Sequence, residues 1–315
     1  MTEVPLPAGR LLDAGELCYV AAPAAVPHVT PMVFAFAGGR LWVTTSRRSL
    51  KARFWRTDPR YAGLVRAGST ALIITGTATT HDALDPRSWR RSLSDAPLLA
   101  VASARFTRKN ARFFAGYAFD AHKVPLAWTP PGRVFVELGI ERSALVEGDG
   151  VQRRGEWPDR VGSRDRFRAS RTGRAAFEAI PQSVREAVGT MGAGALAVEG
   201  GNGPVVLPAR WTVDGAALYA VVSERTLSLA GVTTASIPVA LCIDRPSTWR
   251  AREMVGAMAR GEGEIHVVDR LQSGATSARA VVHAAGAEGD SVVVRIRASQ
   301  FVWWRGWDSG TVSAA

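Results

Sequence analysis

Moved along by 177 positions, the first half of this chain lands on the second. Pro31 falls on Pro208, Phe34 on Trp211, Leu41 on Leu218 and Trp42 on Tyr219. Ser46 then meets Ser223, Arg48 meets Arg225, Ser49 meets Thr226 and Leu50 meets Leu227. The same offset joins Leu64 to Leu241; nearer the ends it becomes 158, with Val134-Phe135-Val136 on Val292-Val293-Val294 and Gly148 on Gly306. A proline, a hairpin and a polar turn that recur in one order point to duplication, not to chance agreement of two alanine- and valine-rich segments. The offset changes because the copies carry different insertions, Asp82–Gly132 in the first. Whatever one half folds into, the other must fold into as well.

The repeated unit reads as β-structure. Strands are expected at Leu17–Ala21, Val29–Phe36, Leu41–Thr45, Ala62–Val65, Ala71–Ala78 and Val134–Leu138. The second copy repeats them at Val205–Val213, Leu218–Val222, Val239–Ile243, Gly263–Val268, Ala278–His283 and Val292–Ile296. These runs are rich in Val, Ile, Leu and aromatics and end in Gly, Pro or Asp. Gly38-Gly39 and Asp214-Gly215 sit between runs as hairpin signals. Short strands at this spacing predict small barrels and not an alternating β/α sheet. The expected class is mainly β with helices (α+β), as two tandem barrels. The expected divisions are a first barrel, 1–147, with a helical insertion at 82–132, a basic linker, 148–174, and a second, degenerate barrel, 175–315. In the insertion, Phe106, Phe113, Phe114 and Tyr117 form an aromatic stripe at helical spacing, and Thr129-Pro130-Pro131-Gly132 ends it as a turn. A further helix is expected over Arg174–Val188, interrupted by Pro181.

Composition narrows the class. With 315 residues, 47% apolar and 21% charged, the chain has room for two ordinary globular domains. No run approaches 18 apolar residues, no secretory signal is visible at the start, and Cys18 and Cys242 stand far apart. A soluble protein of a reducing cytoplasm is expected, with no membrane partner. The net charge is +11, and all but three of the 39 basic residues are arginine. Val151–Arg174 gathers eight arginines against three carboxylates, which reads as a solvated linker or as a phosphate or partner contact.

The chemistry lies in the segment Leu41-Trp42-Val43-Thr44-Thr45-Ser46-Arg47-Arg48-Ser49-Leu50-Lys51. A strand ends in hydroxyl residues, turns through two arginines and enters a helix at Ser49. Hydroxyls, cations and free backbone N–H groups converge there, as a phosphate cradle needs; the plainer alternative is that Ser49 simply caps the helix. In the second copy Thr45 has become Val222, Arg47 has become Glu224 and Lys51 has become Ser228. The apolar positions persist while the anion-binding groups do not. A cap alone does not need Lys51, so an anion site in the first copy only is the better account.

With their neighbours, these residues resemble the flavin-binding split-barrel superfamily, which includes pyridoxamine 5'-phosphate oxidase and the flavin and deazaflavin oxidoreductases. Pro27–Phe34 looks like its first long strand, Thr44-Thr45 with Ser49-Leu50-Lys51 like its flavin-phosphate turn, and Thr57-Asp58-Pro59 like the Asp-Pro after its short helix. Gly76-Thr77-Ala78 and Val302-Trp303-Trp304-Arg305-Gly306 resemble two later strands. The resemblance covers Leu11–Thr80 well and the second half weakly. It implies a six-stranded antiparallel split barrel that dimerises around a flavin, so a tandem copy would form that dimer within one chain. The cofactor residues it implies are Thr44, Thr45, Ser46, Arg47, Ser49 and Lys51 in the first barrel. Trp303 and Trp304 would form the facing wall, or else a core or lid cluster; their first-copy equivalents are Leu145 and Val146. Two sites would have become one. The implied cofactor is FMN. Pro31 stands where the family has an arginine, so a deazaflavin or heme remains an alternative. The segment that holds pyridoxal in the oxidases is missing after Trp307, so that substrate is not expected.

The implied activity is an oxidoreductase acting on a small organic molecule, with the chemistry carried by the cofactor and no catalytic side chain assigned. His28 and His122 are the candidate proton donors, and each reads more simply as structural. No Gly-x-Ser-x-Gly elbow, Rossmann glycine fingerprint or Walker loop appears. Glu262, Glu264 and His266 share a strand face, but that spacing is common on solvated strands and no metal is expected. A cofactor-binding protein without turnover and an arginine-rich interaction protein remain the competing classes, nucleic acid being the weaker of the partners.

Overall fold

The computed structural model describes residues 6–120, 132–148, 150–158, 176–214, 217–232, 236–247, 249–267, 281–283 and 291–314. The first copy begins with α1 (Leu6–Ala14) and strands β1 (Leu17–Ala22), β2 (His28–Ala37) and β3 (Arg40–Ser46). Helix α2 (Leu50–Phe54) leads to β4 (Arg60–Ala67) and β5 (Thr70–His81). The insertion contributes α3 (Pro86–Ser94), α4 (Ala96–Lys109) and α5 (Ala111–Phe119), before β6 (Arg133–Glu147) and β7 (Gly150–Arg154). The second copy holds α6 (Gln182–Val188), β8 (Met191–Gly200), β9 (Gly203–Asp214), β10 (Ala217–Ser223), α7 (Glu224–Leu227), β11 (Ser236–Arg245), β12 (Val255–Val267), β13 (Ser291–Arg305) and β14 (Asp308–Ser313).

The strands form two sheets with the same wiring. The first runs β3-β2-β1-β4-β5-β6-β7 and closes where β3 pairs with β6; the second runs β10-β9-β8-β11-β12-β13-β14 and closes where β10 pairs with β13. Each is a closed six-stranded barrel with a seventh strand on its rim. The duplication read from the sequence is thus repeated in the topology, and it extends to a defect. Ladder β5–β6 slips between Thr75 and Gly76, and ladder β12–β13 slips between Arg260 and Gly261. At both bulges a side chain on the glycine would run into a backbone carbonyl, that of Gly139 or that of Arg297. Each bend requires glycine for that reason.

Register also corrects one correspondence. The matching bulges put Ile74 on Ala259, and Ile74 pairs with Gly63 while Ala259 pairs with Leu241, so Gly63 and not Leu64 is the counterpart of Leu241. Leu64 and Leu241 are therefore one residue out of step and occupy opposite faces of their strands, whereas Pro31, opposite Tyr19, and Pro208, opposite Ala195, do correspond. Trp303 and Trp304 do lie opposite Ala257 and Gly256, as Leu145 and Val146 lie opposite Leu72 and Ala71.

The barrels share one core. Every residue of β1 is buried. Cys18, Val20 and Ala22 fill the first barrel, with Leu72, Ile74 and Val136. Tyr19 and Ala21 on the opposite face join Leu64, Ile73, Leu196, Val206 and Leu241 in a cluster that spans both copies. Burying both faces of β1, β4 and β5 removes the polar alternation expected of a solvent-facing sheet. Two barrels fused along such a face cannot separate without exposing it.

Four sequence expectations change. The aromatic stripe of the insertion is not one helix: it breaks at Asn110, whose side-chain amide donates to the carbonyls of Phe34 and Phe106. The helix expected over Arg174–Val188 is a 3-10 turn, Phe177–Ala179, then α6, with Pro181 outside it as N-cap because proline cannot donate within a helix. Residues 281–283 are helical and not a strand, with Val281 packed on Val221 and Val293. Strand β8, α1, β7 and β14 carry weak signals; β8 opens Met-Gly-Ala-Gly, with little apolar side chain to count. The linker beyond Pro158, the Thr129–Pro131 turn, Gly215 and His122 lie outside the described residues.

Candidate functional site

The turn after β3 is internally satisfied. Ser49 Oγ accepts from the Ala52 N–H and caps α2, and Thr45 Oγ1 donates to Ser49 Oγ at 3.0 Å. Arg133 donates to the Thr44 hydroxyl and carbonyl. Ser46 Oγ accepts from the Arg48 N–H. Arg47 pairs with the buried carboxylate of Asp82 at 2.6 Å, which Arg56 also approaches. Ser49 is therefore a real N-cap, and Arg47 already has its counterion. Helix α2 ends early because Asp58-Pro59 follows, and a residue before proline disfavours helical backbone.

Lys51 is different. It is 3% exposed, and its Nζ donates to Thr30 Oγ1 at 2.5 Å and to the Thr30 carbonyl at 3.4 Å, with Met32 Sδ also at 3.4 Å. It is turned inward, toward the second barrel. The groups acting on its charge are the thiols of Cys242, on β11, and Cys18, on β1. Burial pulls its pKa down from 10.5 to about 7. The same thiol burial pushes Cys18 up to about 12.

One face of the second barrel meets β2, which carries the partners of this lysine. Asp244 and Gly256 pair across β11 and β12, and Gly256 pairs with Trp304 on β13. Alternation then puts Cys242, Met258, Arg260, Gln300 and Trp304 on that same face. Met258 Sδ accepts from the Val29 N–H across the seam. Arg260 reaches into the first barrel, donating to the carbonyls of Val26 (2.6 Å) and Pro27 (3.1 Å), and its Nη1 meets Gln300 Oε1 at 3.1 Å. His28, Thr30 and Met32 line the facing edge of β2, each partly exposed. Burial, with the charges of Lys51 and Arg260 added, pulls His28 down to about 3, so it is a neutral imidazole. Its Nδ1 is buried and has no partner among the described residues.

Farther along this face, Tyr19 Oη donates to Asp244 Oδ1 at 3.0 Å and Arg66 donates to Tyr19 Oη and the Gly194 carbonyl. This network locks the barrels together, and burial raises Asp244 to about 6. Trp304 lies over Gly256 beside it, while Trp303, one residue on, lies over Gly310 on the other face. The two tryptophans thus point to opposite faces of β13, Trp304 to the Asp244 face and Trp303 to the other.

Pseudo-symmetry supplies a second seam, and it has lost these groups. The counterpart of Lys51 is Ser228, exposed and bonded to Arg153. By strand register, Val205 stands for His28 and Thr75 for Arg260, while Arg142, in the place of Gln300, donates to Thr75 Oγ1. Glu199 lies there near Arg60 and Asp58, with burial raising it to about 7. Sequence reasoning found Lys51 but not Arg260, since an arginine among 36 carries no signal until register shows what it faces.

Glu262 and Glu264 are engaged by Ser236 and Arg297 respectively. Among the described residues the one group with metal-ligand character is elsewhere, at His81, Asp95 and Glu137. Arg40 already neutralises Glu137 at 2.6 Å. No described helix is long and apolar enough to cross a membrane.

No protein-family profile matches the chain, and no curated protein does. Solved structures do. An FAD-binding protein from Mesorhizobium loti aligns at 18% identity over 46% of this chain and 95% of its own, with a TM-score of 0.32. General Stress Protein 26 from Bacillus anthracis aligns at 13% identity over 44% and 89%, TM-score 0.30. An F420 reductase aligns at 18% identity over 44% and 98%, TM-score 0.30. Closed by its own strand pairings, the chain has the barrel fold that its resemblance to the split-barrel superfamily implied, twice over in tandem.

Proposed function

We propose that this chain binds one phosphate-bearing flavin or deazaflavin between its barrels, FMN being the first choice, and acts as an oxidoreductase on a small organic molecule. One observation carries the reading: the lysine of the phosphate-turn motif is buried with its Nζ on Thr30 and Met32, and among the described residues no carboxylate acts on its charge. A buried cation with only neutral acceptors is costly, and an anionic ligand relieves that cost. The residues fit the anionic end of such a cofactor. Lys51 would hold it, the capped turn of Thr44, Thr45, Ser46, Arg47 and Ser49 would fix the lysine's approach, and Trp304 would stand on the facing wall with Trp303 behind it.

When bound, the cofactor supplies the hydride or electron transfer; the protein supplies place and electrostatics. Arg260 keeps the seam positively charged beside the neutral imidazole of His28, which favours an anionic form of the ligand. The buried β1, β4 and β5 face keeps water from the inner side.

The test is the absorption spectrum and mass of the small molecule that copurifies with the full chain. A flavin or deazaflavin spectrum, bleached by a nicotinamide or reduced-deazaflavin donor and restored by an organic acceptor, is the expected result. A colourless protein that takes up neither FMN nor a deazaflavin refutes the reading.

A further inference from the structure

Away from the seam, helix α3 of the insertion has no buried residue. It is tied to the end of β5 by Ser88, which donates to the Asp82 carbonyl at 2.6 Å, and by Ser92, whose Oγ lies 3.1 Å from His81 Nδ1. His81 and Glu137 are both buried, and His81 Nε2 stands 3.5 Å from Glu137 Oε2. A charge-assisted hydrogen bond closes to about 2.8 Å. Two ligand atoms of one tetrahedral zinc ion, each bonded at about 2.0 Å, stand about 3.3 Å apart. Asp95, in the turn between α3 and α4, completes the group: one ligand atom from each of the three residues lies within 4.8 Å of the others. Asp95 occupies the N-cap of α4, yet its side chain accepts no cap hydrogen bond, as an aspartate there ordinarily does. Its carboxylate makes only long contacts, 3.5 Å to Ser94 Oγ and 3.8 Å to Arg91 Nε, so it is free to close on the other two. Arg40 takes Glu137 Oε1 and leaves Oε2 toward the histidine. It offsets one carboxylate charge; Arg91, exposed to solvent, offsets little of the other. The second copy has lost the set: His266 stands for His81, but Arg295 stands for Glu137, and no described residue stands for Asp95.

We propose that His81 Nε2, Glu137 Oε2 and the Asp95 carboxylate are three ligands of a divalent transition-metal site that pins the insertion to the first barrel. One imidazole nitrogen with two carboxylate oxygens suits zinc; calcium and magnesium take oxygen alone. Ser92 accepts from Nδ1–H and so holds the tautomer that leaves Nε2 free to ligate, and Arg40 orients Glu137. Asp95 is the partly exposed ligand, so water completes the coordination from its side. The site stands apart from the cofactor reading and does not depend on it.

Asp95→Asn is the decisive variant. It keeps the shape of a partly exposed side chain that caps nothing, so the metal-free fold is expected to be unaffected. The full chain, without an affinity tag and stripped by a chelator, is titrated with zinc by calorimetry and with cobalt(II), whose visible bands report coordination. The wild type is expected to bind one equivalent, to unfold at a higher temperature with zinc than without, and to show slower amide exchange along α3 when zinc is bound. Asp95→Asn is expected to weaken zinc at least tenfold and to lose the cobalt bands while keeping the metal-free unfolding temperature. His81→Gln is expected to lose the site as well, and Ser92→Ala, which frees the imidazole to turn, to weaken zinc about tenfold. A wild type that takes up neither zinc nor cobalt overturns the proposal. So does zinc bound as tightly after Asp95→Asn as before, or bound with no change in α3 exchange, since a stray surface ion behaves that way.

Discussion

Replacing Lys51 by methionine separates a buried lysine from a solvated one. In the folded chain burial holds Lys51 at about 7 against an ordinary 10.5. Between these values the unfolded chain carries a proton that the native chain does not, so native stability must rise with pH. From pH 7 to pH 9 the rise from this one group is about 2 kcal/mol, after allowing for its partial titration at pH 7. Lys51→Met abolishes the rise. The variant also loses the bond to Thr30, so the absolute difference at any one pH is composite; the change in the difference is not. Urea unfolding of both proteins at pH 7, 8 and 9, in a buffer without phosphate, measures it. The methionine variant is expected to be the more stable at pH 7, and its advantage is expected to shrink by about 2 kcal/mol by pH 9. Contributions shared by both proteins, such as Lys109, which burial holds near 8, cancel. Two stability curves that run parallel within about 0.5 kcal/mol would refute the inward, desolvated placement of Lys51.

Asp244 gives the opposite slope. Its folded pKa of about 6 lies above the ordinary 3.8, so wild-type stability falls as pH rises from 4 to 7, by about 2 kcal/mol, and Asp244→Asn should flatten that fall in the same unfolding assay. Ser49→Ala removes the α2 cap seen at Ala52 and should cost about 1 kcal/mol by denaturant unfolding. Gly76→Ala and Gly261→Ala each drive a methyl group into a carbonyl at a bulge and should each cost more than about 3 kcal/mol, read as a drop in unfolding midpoint. Asp82→Ala strips the counterion from Arg47 and the partner of Arg56, leaving a partly buried guanidinium, and should cost about 3 kcal/mol at pH 7.

Much of the architecture is written in the chain because it is local and repeated. Alternating apolar runs, Gly38-Gly39 and the recurrence of Leu41-Trp42 as Leu218-Tyr219 specify strands, hairpins and duplication without reference to anything distant. So is the hydroxyl-rich turn, since a cap is made by residues three apart. The leucines Leu64 and Leu241 misled by one position because a sequence match carries no strand register. Asn110 and Pro181 broke expected helices through a tertiary bond and a missing donor, respectively.

The site is a different kind of fact. Lys51 in the sequence is a cation after a turn; only the packing of two barrels decides that it is buried, on Thr30 and Met32, with a thiol 191 positions away acting on its charge. Arg260 and the loop before β2 have no proximity in sequence and meet only where β2 faces β12, at the carbonyls of Val26 and Pro27. Local propensity and periodicity depend on neighbours along the chain, so the sequence alone determined the two barrels and their strands. Charge and desolvation depend on neighbours in space, so the tertiary structure alone decided that Lys51 of the first copy is buried while its counterpart Ser228 is exposed.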